Sequence, residues 1–216
     1  MDFPFSVSRE TEERLRLFEA LLLKWQKTHN LVSRETIADI WGRHIIDSAQ
    51  LLPLIETKSV VADMGSGGGF PGVVLSVLGL ENLSLMESNH KKCSFLREVR
   101  RQLSLSFDVY EGRIEESALN NVDVVTSRAL ASLDQLLSLS HPLLKKEGRC
   151  IFLKGRSAAE EINEARQKWS FDLEQKKSIT SSDGTILILK HVRPKIHEDH
   201  IHSKPEGRCG ENHDGR

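Results

Sequence analysis

The sequence predicts an α/β fold, in which a doubly wound, mostly parallel sheet follows an N-terminal helical extension and ends in an antiparallel hairpin. Strand patterns alternate with helical patterns from residue 60 to residue 168, and this alternation is typical of a parallel sheet. An amphipathic helical pattern precedes these elements, and two strand patterns joined by a turn-forming run follow them.

The N-terminal region has a helical pattern. Apolar residues recur every three or four positions, which predicts an amphipathic helix from about Ser8 to Lys27. A second helical stretch follows, which Ser33 is expected to cap and Gly42 to bend or divide. We therefore expect residues 1–57 to form a helical region that packs on the core.

Residues 58–195 carry the alternating elements of the core. Strands are predicted at 60–64, 83–87, 107–111, 122–127 and 150–154, and helices at 91–103, 133–139 and 158–168. The run Ser181-Ser182-Asp183-Gly184 separates two final strand patterns, 171–179 and 185–192. Because serine, aspartate and glycine favour tight turns, this run predicts the closing hairpin.

Composition and charge limit the classes of function. The 216 residues, 38% of them apolar, suit one domain of moderate size, and a net charge of −1 is not that of a bulk nucleic-acid binder. Three cysteines without C-x-x-C spacing argue against a disulfide scaffold and against a metal site. No apolar run reaches the length of a membrane span, so we expect a cytoplasmic protein without membrane contact. No stable protein partner is evident, and the charged, glycine-containing residues 196–216 predict a disordered tail.

The loop after the first strand carries the strongest functional signal, with five glycines in the eight residues 65–72. Gly67, Gly69 and Gly72 satisfy the G-x-G-x-x-G dinucleotide pattern, which permits NAD. Counted from Gly65, the loop reads D-x-G-x-G-x-G with Asp63 first, the pattern of nucleoside-dependent methyltransferases. A carboxylate near the loop suits the cationic groups of S-adenosylmethionine (SAM) and would repel a pyrophosphate. Asp63 therefore favours SAM.

Chemically useful side chains follow the other strands at their carboxyl ends, where open α/β sheets bind ligands. Glu87 ends the second strand and is placed to bond ribose hydroxyls. After the third strand, an adenine would lie against Ile114, while Glu115 is either a ligand contact or a helix-start acid. Arg128 ends the fourth strand, where it could pair with the methionine carboxylate of SAM, with a substrate phosphate or with an acid of the protein itself.

Positive side chains cluster in the N-terminal region and again between residues 88 and 101. Either cluster could grip RNA phosphates, or could be an ordinary solvated helix face. The predicted RNA contacts are Lys24, Lys27, His29, Arg43, Lys91, Lys92 and Lys154.

Several motifs together resemble a known family. They lie at 24–31, 43–48, 63–72, 87–96, 127–129 and 153–155. In this order, over residues 18–195, they resemble the GidB/RsmG family of small-subunit (16S) rRNA guanine-N7 methyltransferases. The resemblance implies a Rossmann-like methyltransferase sheet, SAM as cofactor, and 16S rRNA or the 30S subunit as partner. Gln26 and the pair Val32-Ser33 depart from the family's usual residues.

The resemblance implies SAM contacts at Gly65, Phe70, Ile114, Glu115 and Arg128, with Glu87 as a further contact. Joined to the inference from the glycine loop, the predicted cofactor-binding set is Asp63, Gly65, Gly67, Phe70, Glu87, Ile114, Glu115 and Arg128.

The chemistry of guanine N7 accounts for the lack of an evident catalytic dyad. N7 carries an in-plane lone pair in the neutral base, so it can attack a methyl group without first losing a proton, and no general base is needed. Catalysis would rest on positioning and electrostatics, for which Arg128, His44 and Asp47 are the candidate catalytic residues.

Two other functions are compatible with parts of the sequence. An NAD-dependent short-chain reductase needs a Tyr-x-x-x-Lys pair, but the only tyrosine is Tyr110 and position 114 is Ile114. A non-catalytic RNA-binding protein with the same fold is a separate alternative that fold alone does not exclude.

Overall fold

A computed structural model of the chain describes residues 3–128 and 130–195. Ala129 and the predicted tail, residues 196–216, lie outside the described residues. The strands are β1 Val61–Met64, β2 Leu83–Glu87, β3 Asp108–Glu111, β4 Val122–Arg128, β5 Leu144–Lys154, β6 Trp169–Lys177 and β7 Thr185–Pro194. The helices are α1 Arg9–Gln26, α2 Asp47–Ala49, α3 Gly72–Val77, α4 His90–Gln102, α5 Leu133–Ser140 and α6 Ala158–Lys168.

The seven strands form one sheet in the order β3-β2-β1-β4-β5-β7-β6. The pairs from β3 to β5 are parallel, whereas β7 pairs antiparallel with both β5 and β6. The predicted fold class is therefore confirmed. Since β1, β2, β3 and β4 are parallel neighbours, their carboxyl ends meet at one edge of the sheet.

Strand β5 is longer than the sequence pattern predicts. It begins at Leu144, which pairs with Val122, rather than at Cys150. Residues 145–147 are exposed and charged, so the added part of the strand carries no apolar alternation that would reveal it.

Helix α1 packs against α3 and α4 through one apolar face. Ser8 caps it by accepting a hydrogen bond from the Thr11 amide at 3.1 Å. The buried Phe18 lies 5.3 Å from Phe70 and 6.4 Å from Phe95, ring centre to ring centre. Burying one such side chain contributes about 1.5–3 kcal/mol. The helical region and the sheet therefore share one hydrophobic cluster.

The second helical stretch is irregular. It consists of a 3₁₀ segment, Arg34–Asp39, followed by a π-helical segment, Trp41–Ile46, that leads into α2. The predicted division near Gly42 is confirmed, because the helix type changes between Asp39 and Trp41. The Gly42 amide donates to the Asp39 side chain at 2.9 Å. Ser33 occupies the N-cap position but its hydroxyl caps no amide, so that part of the prediction was wrong. The hydroxyl instead lies 3.3 Å from the Thr36 hydroxyl.

No helix among the described residues is both long enough and apolar enough to cross a membrane.

Candidate active site

A cavity of about 640 Å³ opens at the carboxyl ends of β1 to β4, and we call it the glycine-loop cavity. Its floor is the loop after β1, in which Gly65 and Gly67 have φ angles of +67° and +55°. Residues other than glycine rarely adopt this left-handed backbone conformation. A Cβ at Gly65 would also lie 2.6 Å from Leu130 Cδ1. The glycines therefore let the main chain itself form the wall of the cavity.

Asp63 lies beneath this loop, fully buried, and does not line the cavity. Its Oδ2 accepts the Gly72 amide at 3.1 Å and its Oδ1 accepts the Thr126 hydroxyl at 3.0 Å. Burial raises its pKa to about 6. The expectation of direct contact with a ligand is thus corrected, since Asp63 ties the loop to the sheet and acts on the cavity through the loop.

Glu87 reaches the cavity from the end of β2. Its Oε2 accepts the Gly67 amide at 3.0 Å and its Oε1 accepts the Asn89 amide at 2.8 Å. These bonds fix the carboxylate in place, and each oxygen keeps a second lone pair. The arrangement can accept two hydroxyl donors, as a ribose presents them.

The short 3₁₀ turn after β3 supplies Ile114 and Glu115 to the opposite wall. Sequence reasoning missed other lining residues, among them Lys92, Leu130 and Gln135. Lys92 was predicted to contact RNA, yet it borders this cavity. Its closeness to Glu87 in the sequence was a usable signal, whereas no local pattern singled out Gln135 on α5.

Arg128, at the end of β4, is held by the N-terminal region. Its guanidinium donates to the Arg43 carbonyl at 3.0 Å and to His44 Nδ1 at 2.6 Å, and it lies 5.1 Å from the ring centre of Phe70. Arginine can only donate, so His44 Nδ1 is the acceptor and Nε2 carries the proton. Nε2 then donates to the Thr36 hydroxyl at 2.7 Å.

The His44 side chain is neutral in this setting. Burial, followed by the charge of Arg128, lowers its pKa to about 3. Its ring also packs on Phe70, 4.8 Å between centres. His44 therefore orients Arg128 and does not add a second positive charge beside it.

A second cavity, of about 400 Å³, adjoins the first, and we call it the hairpin-turn cavity. It lies among residues 31–47, the end of β5 and the turn between β6 and β7. Leu31 and Arg128 line both cavities. Sequence reasoning did not predict this cavity.

Asp47 lines the hairpin-turn cavity and connects it to the turn. Its Oδ1 accepts Gln50 Nε2 at 2.8 Å and the hydroxyls of Ser178 and Thr180. Its Oδ2 lies 3.9 Å from Arg128 Nη1. Asp47, His44 and Arg128, predicted as catalytic candidates, are thus brought together.

Apart from Lys92, which borders the glycine-loop cavity, the predicted RNA contacts divide into three groups. Lys24, Lys27, Arg43 and Lys91 are exposed, whereas His29 is half-buried against Trp25 at 5.2 Å between ring centres. Lys154 is a correction, because its side chain is only 6% exposed and its ammonium lies 2.6 Å from Glu161 Oε2. The ammonium also donates to the Ala131 carbonyl. The Lys154 ammonium therefore bonds to groups of the protein itself and is not presented to RNA.

Two buried thiols do not suit covalent catalysis. Burial raises the pKa of Cys93 to about 11 and that of Cys150 to about 12, so neither is a thiolate near neutral pH. Within residues 3–128 and 130–195, no group of three or more His, Cys, Asp or Glu side chains could hold a metal ion.

The chain is similar to known sequences over most of its length. The model of the family GidB, rRNA small subunit methyltransferase G, matches residues 11–190. A protein of Paramagnetospirillum magneticum named ribosomal RNA small subunit methyltransferase G is 47% identical over 187 residues, covering 86% of this chain and 91% of its own length. A protein of the same name from Rhodospirillum centenum is 45% identical over 192 residues, covering 88% of this chain and 89% of its own.

Solved structures support the fold. A ribosomal protein L11 methylase from Lactobacillus delbrueckii subsp. bulgaricus superposes with a TM-score of 0.57 at 15% identity, covering 68% of this chain and 78% of its own. M. jannaschii TYW2, in complex with AdoMet, superposes with a TM-score of 0.55 at 16% identity, covering 74% and 80%. At these identities the likeness establishes the fold alone.

Proposed function

Because the chain belongs to the GidB family, rRNA small subunit methyltransferase G, we propose that it transfers a methyl group from SAM to N7 of a guanine in small-subunit (16S) rRNA. The methyl donor and the rRNA substrate come with the family. The N7 position and the residues assigned below are the finer part of the proposal.

The glycine-loop cavity is the observation that carries the proposal. Its walls match the three parts of SAM in order along the sheet edge: Ile114 and Glu115 for the adenine, Glu87 for the ribose, and Arg128 for the methionine carboxylate. Gly65, Gly67 and Phe70 complete the wall between Glu87 and Arg128. Asp63 supports this wall from below.

The residues at the end of β4 suit methyl transfer to N7. When bound, SAM supplies an electrophilic methyl group on a sulfonium. The guanine lone pair needs no deprotonation, so the protein has to position the base and exclude water. His44 and Asp47 fix the Arg128 guanidinium at the wall that both cavities share, and this is the positioning role we assign to them.

The decisive experiment uses purified protein, methyl-labelled SAM and small subunits from cells that lack N7-methylguanine, with mapping by chemical cleavage at N7-methylated guanines. We expect label at one guanine. Naked 16S rRNA, run in parallel, separates the two forms of substrate. Label on an exocyclic amine or at carbon would contradict the N7 assignment. SAM binding without any label would favour the alternative, a non-catalytic RNA-binding protein.

A reductase is not favoured by the family match. Tyr110 lies in β3 and donates its hydroxyl to the Arg113 carbonyl at 3.2 Å, with no lysine at position 114 to lower its pKa. Within this proposal, rRNA is the partner. Exposed Lys24, Lys27, Arg43 and Lys91 are the residues we assign to its phosphates. A cytoplasmic location and the absence of membrane or stable protein partners remain predictions.

A further inference from the structure

We propose that the hairpin-turn cavity receives the target guanine, turned out of its RNA stack, and that Asp47 selects guanine by accepting hydrogen bonds from its N1–H and its 2-amino group. The inference rests on the proposed function and names the part of the molecule that holds the methyl acceptor. Asp47 becomes a specificity-determining residue.

The position of the cavity is the first argument. Reacting atoms in a methyl transfer must approach to about 3–3.5 Å, and an enzyme that modifies a base reaches it only outside the stack. The hairpin-turn cavity shares Leu31 and Arg128 with the glycine-loop cavity. Leu31 is fixed there because its amide donates to Gln26 Oε1 at 2.9 Å. The two cavities therefore meet at these two residues, so an acceptor in the second cavity would lie next to a donor in the first.

The lining of the cavity suits a planar base. Leu31, Val32 and Leu153 are aliphatic, as expected of side chains that cover the faces of a base. Hydroxyls of Ser33, Thr36 and Ser181 supply polar contacts around them. Arg43 is exposed at the cavity and suits the phosphate next to a base that has left its stack.

Asp47 has one oxygen committed and one available. Three donors, from Gln50, Ser178 and Thr180, converge on Oδ1. Among residues 3–128 and 130–195, no group donates a hydrogen bond to Oδ2, and the nearest cationic nitrogen, Arg128 Nη1, is 3.9 Å away. Oδ2 is not sealed from solvent, since the described residues include no fully buried side-chain oxygen or nitrogen without a partner. Both lone pairs of Oδ2 are thus available, so this one oxygen can accept from two neighbouring donors of a ligand.

Guanine matches this acceptor. Its Watson–Crick edge presents two neighbouring donors, N1–H and the 2-amino group, whereas adenine presents an acceptor at N1, which a carboxylate repels. N7 lies on the other side of the purine, so a base held by Asp47 keeps N7 free. In the reaction the N7 lone pair forms the new N–CH₃ bond, and the electrons of the S–CH₃ bond pass to sulfur. The positive charge moves onto the purine, no proton is transferred, and a nearby carboxylate stabilises the product cation.

The experiment compares Asp47→Asn with Asp183→Asn on substrates that carry guanine, inosine or 7-deazaguanine at the mapped position. Asp183 lies in the turn between β6 and β7, which Asp47 contacts. It pairs with exposed Arg156 at 3.0 Å, so it is the matched control. We expect wild type and Asp183→Asn to lose about 10- to 100-fold in kcat/KM on inosine, which lacks the 2-amino group. Asp47→Asn should be slow on guanine and lose little more on inosine.

Binding gives a readout that is independent of methyl transfer. The 7-deazaguanine substrate has no N7 nucleophile but keeps the Watson–Crick edge, so wild type should bind it as tightly as guanine, and Asp47→Asn should bind it more weakly. SAM affinity, measured by calorimetry, should be unchanged in Asp183→Asn, and circular dichroism checks that both variants fold. Val32→Trp, which fills the second cavity alone, should abolish RNA methylation with SAM affinity intact.

The outcomes separate the two proposals. If wild type labels a guanine and Asp47→Asn still discriminates against inosine as wild type does, this inference is wrong and the proposed function stands. If Val32→Trp methylates normally, the cavity assignment is overturned in the same way. If wild type labels no guanine in any small-subunit RNA, the proposed function fails and this inference fails with it.

Discussion

The two adjoining cavities are built in different ways. Most of the glycine-loop cavity comes from the ends of β1, β2, β3 and β4 and the short segments that follow them, to which Leu31 and residues of α5 are added. The hairpin-turn cavity joins residues 31–47 to residues 153–184, and Asp47 reaches Thr180 across 133 positions of sequence. The first can be recognised as a motif, whereas the second exists only after the chain has folded. If the two cavities are also energetically independent, a substitution in one should not change ligand affinity in the other.

The largest effect concerns the wall between the cavities and is a dependence of stability on pH. The folded-state pKa of His44 is lowered from 6.5 to about 3, so its stabilising contribution is present above pH 6.5 and is lost as the pH falls towards 3. The loss approaches roughly 1.4 kcal/mol per pH unit in this window. Urea unfolding of His44→Gln against wild type between pH 7 and pH 4 measures it. NMR titration of the ring checks that it stays unprotonated at pH 5.

Asp63, below the glycine loop, changes stability with pH in the opposite direction to His44. Its folded-state pKa is raised from 3.8 to about 6, so its contribution is present below pH 3.8 and is lost as the pH rises through 6. In wild type the two groups offset each other between about pH 4 and pH 6, and only the His44 variant reveals the Asp63 slope. An unchanged pH profile in His44→Gln would contradict the buried, neutral histidine.

The next prediction asks whether Lys154, which lines the hairpin-turn cavity, stabilises the fold or contacts RNA. Lys154→Met leaves Glu161 partly buried without its cation, and removing one member of such a pair costs roughly 3 kcal/mol of unfolding free energy. Lys91→Met, an exposed lysine, should cost less than about 0.5 kcal/mol. Urea denaturation compares them. Equal stabilities of the two variants would restore Lys154 as a candidate RNA contact.

The glycine-loop cavity is tested at Glu87. In Glu87→Ala the Gly67 and Asn89 amides lose their acceptor, and the ribose loses a charged partner. Each hydrogen bond to a charged group contributes about 1.5–3 kcal/mol. We therefore expect SAM affinity to fall about 100-fold. Glu111→Gln is the matched control, because Glu111 pairs with Glu87 in the sheet register but lies outside the cavity lining. Calorimetric titration with SAM gives the affinities. Similar losses in both variants would mean that the effect is structural.

Particular residues show what the sequence could predict. Glu87 ends β2 and Ile114 follows β3, and the strand patterns place both at the carboxyl edge of the sheet, so their positions at the cavity were predictable. Asp63 was recognised by its spacing from the glycines, but spacing does not tell whether a carboxylate faces the ligand or lies beneath the loop. Lys154 was misassigned because charge alone does not reveal Glu161 on the following helix. Gln50 and Thr180 carry no signal, since their role depends on a contact between distant segments.

The link between the distant segments is tested at Gln50. Its amide donates to Asp47 and to the Ser178 hydroxyl and accepts the Ile179 amide at 3.0 Å. Gln50→Ala should lower the unfolding free energy by about 1–2 kcal/mol and reduce methyl transfer, because Asp47 and the turn lose their alignment. SAM affinity should not change, since Gln50 does not line the glycine-loop cavity. A parallel fall in SAM affinity would show that the two cavities are energetically coupled.

The smallest effect concerns the exposed lysines outside both cavities. Lys24 and Lys27 are exposed at the end of α1, and neither lines a cavity described above. If each contacts one RNA phosphate, Lys24→Ala or Lys27→Ala should reduce the slope of log K against log salt by about 1, with SAM affinity and stability unchanged. Lys58→Ala is the control, because Lys58 is equally exposed but precedes β1, at the opposite edge of the sheet. Filter binding of small-subunit RNA from 50 to 300 mM salt, about the range in which such contacts are screened, gives the slopes. If the Lys58 variant changes the slope as much as the other two, the RNA surface is not confined to the edge that carries the cavities.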